Sequence, residues 1–235
     1  LGNDYNKGDG IFILNNKEIE NLQLTEKELE IIKPYFTTKE LKRYYGKKEN
    51  QYWIIYSSPQ MNKIIDKYPN IKSHLNKFSK VITSVNKPYG LHRTRNENIF
   101  IGEKILSVRK CTTPTFTYTN YPTFVSRTFL IIKTIRFNYK ALLSILNSKL
   151  VKFWLFYKGK LQGNIYQIDK NPLMSIPLIN SEESFFENKL SQILTAKKAN
   201  PQADTTVLEA EIDQLVYELY GLTDEEISIV EESVN

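Results

Sequence analysis

Between Asn96 and about Lys133 the chain is written in strand formers. NIFI, KILSVR, TFTYT and TFLIIK, rich in Thr, Tyr, Phe and Ile, follow one another within 38 residues. Such a block demands a sheet, while the sequence on either side follows helical spacing. The expected fold class is therefore α/β in the mixed α+β sense: a twisted, mostly antiparallel or mixed sheet with flanking helices. Upstream, GIFILN (10–15) and QYWIIYS (51–57) read as short strands. Between them Thr25 and Glu28 form a capping box, Leu24 can staple onto Leu29, and Pro34 stops the helix. Thr37 and Glu40 repeat the box and predict a second short helix to about Tyr45. Ser58-Pro59 opens another helix, and IKSHLNKFSKVI (71–82) places Ile71, Leu75, Phe78 and Ile82 on one face.

Downstream, Asn138 caps YKALLSILNSKLVKFWLFYK, whose apolar positions keep helical spacing as far as Gly159. GKLQGNIYQIDKNPLMSIPLI is irregular, with strand-like ends. From Ser181 the pattern becomes a helical hairpin. Phe186, Leu190, Ile193 and Leu194 line one helix; Leu208, Ile212, Leu215, Val216 and Leu219 line the next. Gly221 closes the second helix, and Thr223 with Glu226 caps a last helical turn or two. Two domains are expected, residues 1–180 and an acidic hairpin, 181–235.

Charge separates the same two regions. Residues 181–235 hold three Lys against thirteen Asp or Glu, or −10; residues 1–180 hold 29 cations against 13 acids, or +16. The sharpest feature is local. After Glu103 the next carboxylate is Asp169, so residues 104–168 carry eleven Lys or Arg and no acid. A basic body with an acidic tail points to a polyanion partner; a solvated lysine-rich surface is the plainer alternative. The single cysteine, Cys111, excludes an internal disulfide and fits a reducing, cytoplasmic setting. No run is long and apolar enough for a membrane span, no signal peptide is present, and the start at Leu1-Gly2-Asn3 suggests a piece of a larger protein.

A catalytic site does not assemble from these residues. His74 and His92 with one cysteine give no zinc spacing, and His74 reads as a helix-surface residue. Asn86-Lys87-Pro88-Tyr89 approximates the Asn-Pro-Pro-Tyr run that holds a flipped-out adenine, but a turn before the β block explains it. What remains is binding chemistry. Arg93, Arg95, Lys104, Arg109, Lys110, Arg127, Lys158 and Lys160 are interleaved with Tyr118, Tyr121, Tyr157 and Tyr166, and YKGKLQGNIYQ adds Gln162 and Asn164 beside two glycines. Cations neutralise phosphates, while Arg, Asn and Gln can fork onto base edges. The expected DNA-binding set is Arg93, Arg95, Lys104, Arg109, Lys110, Tyr118, Arg127, Lys158, Lys160, Gln162 and Asn164, with no catalytic and no metal-binding residue.

Three segments, LHRTRNENIFIGEKILSVRKCTTPTFTYT, LLSILNSKLVKFWLFYKGKLQGNIYQIDKNPLMSIPLI and EIDQLVYELYGLTDEEISIVE, resemble in this order the TaqI-like C-terminal specificity domain of type IIG restriction–modification enzymes. GIFILN, IIKPYFTTKELKRYY, YWIIYSS and KYPNIKSHLNKF fit the same pattern, so the resemblance spans about Gly10 to Glu232. Leu146-Asn147-Ser148 and the run from Val216 to Thr223 are its most specific pieces. The resemblance implies a target recognition domain for double-stranded DNA, non-catalytic alone. A methyltransferase domain of the same parent chain would supply S-adenosylmethionine and base flipping, and Mg2+ would serve a nuclease if one is fused. The C-terminal helices resemble spacer helices that pack on the rest of such enzymes. The chain departs from the pattern at Pro88-Tyr89-Gly90 and at Glu103-Lys104-Ile105, which leaves Lys104 with less support than Arg93 or Arg109. The competing expectation is a subunit-docking fragment of a type I-like specificity subunit.

Overall fold

The computed structural model describes residues 5–234; the Leu1-Gly2-Asn3 start lies outside them. In chain order the first elements are β1 (Ile13–Asn15), α1 (Asn16–Asn21), α2 (Glu26–Leu29), β2 (Ile32–Phe36), β3 (Tyr44–Tyr45), β4 (Tyr52–Ile55), α3 (Met61–Ile64) and α4 (Pro69–Lys77). The β block becomes β5 (Lys104–Val108), β6 (Lys110–Cys111), β7 (Phe116–Thr119), β8 (Phe124–Val125) and β9 (Phe129–Ile132). Then come α5 (Tyr139–Leu146), α6 (Lys149–Lys158), β10 (Lys160–Gln162), β11 (Ile165–Gln167), α7 (Lys170–Met174), α8 (Ser184–Ala199), α9 (Thr206–Tyr220) and α10 (Asp224–Val234). The fold is mixed α+β. Its elements form two compact units. The first holds the chain up to Phe36, Glu49–Ile99 and Pro122–Phe124; the second holds Thr37–Lys48, Phe100–Tyr121 and the chain from Val125 on.

In the first unit β4 lies between β1 and β2, antiparallel to both, with Trp53 opposite Leu14 on one side and Pro34 on the other. Pro34 therefore sits inside a strand rather than ending a helix, and α2 is only four residues long. The reason is burial. Ile32, Tyr35 and Phe36 are all needed in the interior, and an extended chain delivers them where a helix would not. Helix α4 follows its sequence pattern: Ile71, Leu75, Phe78 and Ile82 are all buried with Leu14 and Ile55, although the helix itself stops at Lys77. His74 is buried too. Its ring pairs with the Ile11 carbonyl at 2.9 Å, and burial lowers its pKa.

In the second unit β5 is central, antiparallel to β7 and β9, and β3 adds to β7 in parallel. Only half of the Thr37–Glu40 box forms: the Thr37 N–H and hydroxyl both donate to Glu40 Oε2 at 2.9 and 2.8 Å, but Thr37 Oγ1 accepts from Lys39 N–H at 3.1 Å rather than from Glu40 N–H. It caps a turn and not the expected helix, because Leu41 and Tyr44 are drawn into the core and Tyr44 enters the sheet opposite Thr117. The expected long helix after Asn138 is two helices, broken at Asn147, with Ser148 accepting from Val151 N–H as the new N-cap. Helices α8 and α9 form the expected hairpin, and α8 begins at Ser184, three residues beyond Ser181. The Thr223–Glu226 box opens α10, which runs eleven residues rather than a turn or two.

Helix α6 is tied to α9 and α10 by charge. Lys149 pairs with Glu231, Tyr217 donates to Glu231, and the buried Asp213 accepts from Lys149 N–H at 2.8 Å. Burial pushes the Asp213 carboxyl up to about 6, against the hydrogen bond from Lys149 N–H and the charge of Arg43. An acid whose folded pKa is raised binds its proton more tightly in the folded state, so its ionisation removes stability as pH climbs from about 4 to 6. Asp213→Asn should flatten that part of the stability profile, measured as melting temperatures of both proteins across this range. A parallel decline in the two proteins would refute the assignment.

Candidate functional site

A small three-stranded sheet gathers more of the sequence-selected residues than any other place in the described chain. Strands β10 and β11 form a hairpin across Gly163-Asn164, and β6 adds antiparallel to β11. Gly163 has φ +61, the left-handed value that the first position of a tight two-residue hairpin requires, and the space beside it is open. Opposed residues share a face. Lys160, Gln167 and Lys110 therefore make one row on the outer face, joined two residues along β10 by Gln162. Leu161, Tyr166 and Cys111 make the inner row, packed on the core; burial pushes the Cys111 thiol up to about 11. Lys110, Lys158, Lys160, Gln162 and Asn164 are exposed.

Arg109 borders this face and is held in place. Its guanidinium donates to Asp169 Oδ1 at 2.6 Å, and Gln167 Nε2 donates to Asp169 Oδ2 at 2.8 Å. These bonds, Arg109 first, hold the Asp169 carboxyl below its usual range. One carboxylate thus orients a cation and an amide beside each other. The exposed Arg127 lies in the turn before β9, whose Thr128 carbonyl accepts from Arg109 N–H at 2.8 Å. Pairing thus places Lys110, Lys160 and Gln162 on the outer face, with Asn164 at the hairpin tip and Arg109 beside it; Arg127 lies one residue before the Thr128 carbonyl, and Lys158 ends α6 two residues before β10.

The other selected residues are elsewhere. Arg93 and Arg95 belong to the first unit; Arg93 is exposed, and the Tyr56 hydroxyl bridges the Arg95 backbone N–H and carbonyl. Lys104 is a correction. It stands at the far end of β5 from Arg109, its side chain is fully buried, and its ammonium donates to the Gly102 and Tyr121 carbonyls at 2.9 and 2.7 Å. Burial, with the charge of Lys133, lowers its pKa to about 8. It is a structural lysine, spent on loop carbonyls. Tyr118 donates to Glu103 at 2.5 Å and packs beside Tyr139, within a concavity whose other charged groups, Lys140 and Glu183, pair at 2.5 Å. It is not part of the outer face.

The acid-free stretch is also less uncompensated than its sequence implies. Arg109, Lys140 and Lys149 reach carboxylates of Asp169, Glu183 and Glu231, all from outside the stretch. Among the described residues Lys110, Arg127, Lys158 and Lys160 make no ion pair. Asp169 and Gln167 were not singled out from the sequence. The period-2 spacing of residues 165, 167 and 169 was the available signal.

Asn86 and Tyr89 are not poised to hold a base. The Asn86 amide donates to the Leu91 carbonyl at 2.7 Å, and the Tyr89 hydroxyl donates to Asn76 at 2.8 Å. Among the described residues no group of three His, Cys, Asp or Glu could hold a metal ion. No helix among them is long and apolar enough to cross a membrane.

The sequence profile of the TaqI-like C-terminal specificity domain matches residues 33–178. No curated protein matches. Among solved structures the chain is similar to one described as "Structure of Type IIL restriction-modification enzyme MmeI in complex with DNA has implications for engineering of new specificities", with TM-score 0.68 at 13% identity. That alignment covers 93% of this chain and 32% of the MmeI chain, so the chain spans about a third of that protein's length.

Proposed function

The chain belongs to the TaqI-like C-terminal specificity domain family, and from that premise we propose that it reads duplex DNA in a sequence-specific manner for a type IIG restriction–modification enzyme. The observation that carries the reading is the outer face of the β10–β11–β6 sheet. Lys110, Lys158, Lys160 and Arg127 supply charge for phosphates, while Gln162, Asn164 at an open hairpin tip, Gln167 and the clamped Arg109 offer the forked donors and acceptors that distinguish base edges. That MmeI was solved with DNA supports the same partner.

In this reading adenine methylation, with S-adenosylmethionine as methyl donor, and any Mg2+-dependent cleavage belong to other domains of the parent chain. The residues here suit positioning. They hold the duplex in register while a partner domain flips the base. A second reading, a docking fragment of a type I-like specificity subunit, draws on one observation: an apolar groove of about 280 Å³ lined by Leu150, Trp154, Ile176, Tyr220 and the half-exposed Ile229.

Fluorescence anisotropy of the whole chain on a labelled duplex, from about 50 to 200 mM salt, separates the two. DNA recognition requires log affinity to fall linearly with log salt, and Lys110→Gln/Lys160→Gln should reduce that slope by about 2, close to 0.9 for each phosphate no longer neutralised. Arg109→Ala should weaken binding to the preferred sequence more than to a scrambled one. No binding at about 50 mM would sink the reading and favour docking.

A further inference from the structure

The first unit carries a cationic region from which the expected DNA-binding set took only Arg93 and Arg95. From Lys67 to Asn96 there is no Asp or Glu, while Lys67, Lys72, Lys77, Lys80, Lys87, Arg93 and Arg95 fall within those 30 residues. Lys72 pairs with Asp66 at 2.6 Å, and among the described residues Lys67, Lys77, Lys80 and Lys87 make no ion pair. Lys63, Lys77 and Lys87 are exposed, and each directly follows an asparagine: Asn62, Asn76 and Asn86.

Those three asparagines are bound together through Tyr89. The Tyr89 hydroxyl donates to Asn76 Oδ1 at 2.8 Å, and its backbone N–H donates to Asn62 Oδ1 at 3.2 Å. The Asn62 amide in turn donates to the Asn86 carbonyl at 2.9 Å. The loop between is fixed as well: Ser84 Oγ donates to the Gly90 carbonyl at 2.7 Å, and a Cβ at Gly90 would stand 2.7 Å from Asn86 Cβ. Three backbone sites from α3, from the last residue of α4 and from the 86–90 turn are thereby locked side by side, each carrying a lysine to the surface.

We infer that Lys63, Lys77 and Lys87 form a second, sequence-independent phosphate-binding face on the first unit. The inference rests on the DNA reading above and adds a division of labour to it. The edge-reading face sets Arg109 and three amides among its lysines, whereas these three sites offer lysine ammonium groups, which are compact point charges without the fork that reads guanine. The exposed Ser73, Ser79 and Thr83 alongside are hydroxyl donors of the kind that phosphate oxygens accept from. Holding the three lysines on a tied network lowers the ordering cost of engaging them together.

The test uses the whole chain on two duplexes of unrelated sequence, with salt slopes measured for three proteins. Lys63→Gln/Lys77→Gln/Lys87→Gln should lower the slope by about 2 to 3 on both duplexes alike. Lys63→Arg/Lys77→Arg/Lys87→Arg should keep the parent slope. If the parent binds with a steep slope and the glutamine triple variant keeps it, the inference fails and the DNA reading survives. A loss confined to one duplex would show base reading and overturn the sequence-independent role. A parent chain that shows no salt-dependent binding removes the DNA reading, and this face with it.

Discussion

Glu28→Ala is expected to cost about 3 to 5 kcal/mol, one of the two largest losses foreseen for a single substitution in this chain. The side chain is fully buried, yet both oxygens are filled. Oε1 accepts from the backbone N–H groups of Asn70 and Ile71 at 2.7 and 3.0 Å. Oε2 accepts from the Thr25 N–H and hydroxyl and from the Asn70 amide, at 2.9, 3.0 and 3.0 Å. One carboxylate therefore caps two helices. It closes its own box on α2, and it satisfies the first turn of α4, where Tyr68 makes no side-chain cap. A negative charge there also complements the helix dipole. Alanine would leave several buried N–H groups without acceptors.

The same carboxylate sets an acid limit. Burial pushes its pKa up, but the hydrogen bonds from Thr25, Ile71 and Asn70 outweigh that, and the folded value lies below the ordinary 4.5. A depressed folded pKa contributes stability that is present above the unfolded value and is lost as pH falls through the folded one. The stability gap between the parent and Glu28→Gln should accordingly shrink below about pH 4, as denaturant titrations would show. A gap that stays constant to lower pH would mean the charge contributes nothing.

Local sequence signals located Glu28 but not its reach. The box at Thr25 was legible because both partners sit three residues apart; the second helix it caps lies 42 residues on, and no pattern encodes that pairing. The Thr37–Glu40 box shows the converse. Glu40 closes on Thr37 as read, yet the reciprocal bond goes to Lys39 N–H and no helix follows, because local capping worth about 1 kcal/mol yields to burial of Leu41 and Tyr44. Hydrophobic periodicity served best where one face meets one core, as in α4 and the α8–α9 hairpin. For the candidate site, exposed Lys110, Lys160, Gln162 and Asn164 were visible from charge and amides alone. Lys104 was misread for a physical reason: a lysine can be consumed by backbone carbonyls, and only the fold reveals where those carbonyls point.

Asn147→Leu is the second large effect, and it ties fold to site. The side chain is 3% exposed and behaves as a strand substitute: its Oδ1 accepts from Phe116 N–H at 3.1 Å and its Nδ2 donates to the Phe116 carbonyl at 2.9 Å. Phe116 opens β7 one residue before Thr117 pairs with Tyr44 of β3, so the amide extends the edge pairing before β3 begins. Its own carbonyl accepts from Arg43, which also pairs with Glu209 of α9. Leucine matches the volume but offers neither partner, leaving two backbone groups buried and unpaired at about 1 to 3 kcal/mol each. For a chain of this size that is a fall in melting temperature of about 4 to 24 °C. Asn147→Asp should be no better, since it loses the donor and sets a carboxylate against the Phe116 carbonyl. The consequence for binding follows from the chain path: Asn147 marks the break between α5 and α6, and α6 leads directly into the β10–β11 hairpin. DNA affinity of the leucine variant should fall only as its folded fraction falls, and recover at temperatures well below its melting point. Full stability in Asn147→Leu would show that the edge of β7 finds other partners.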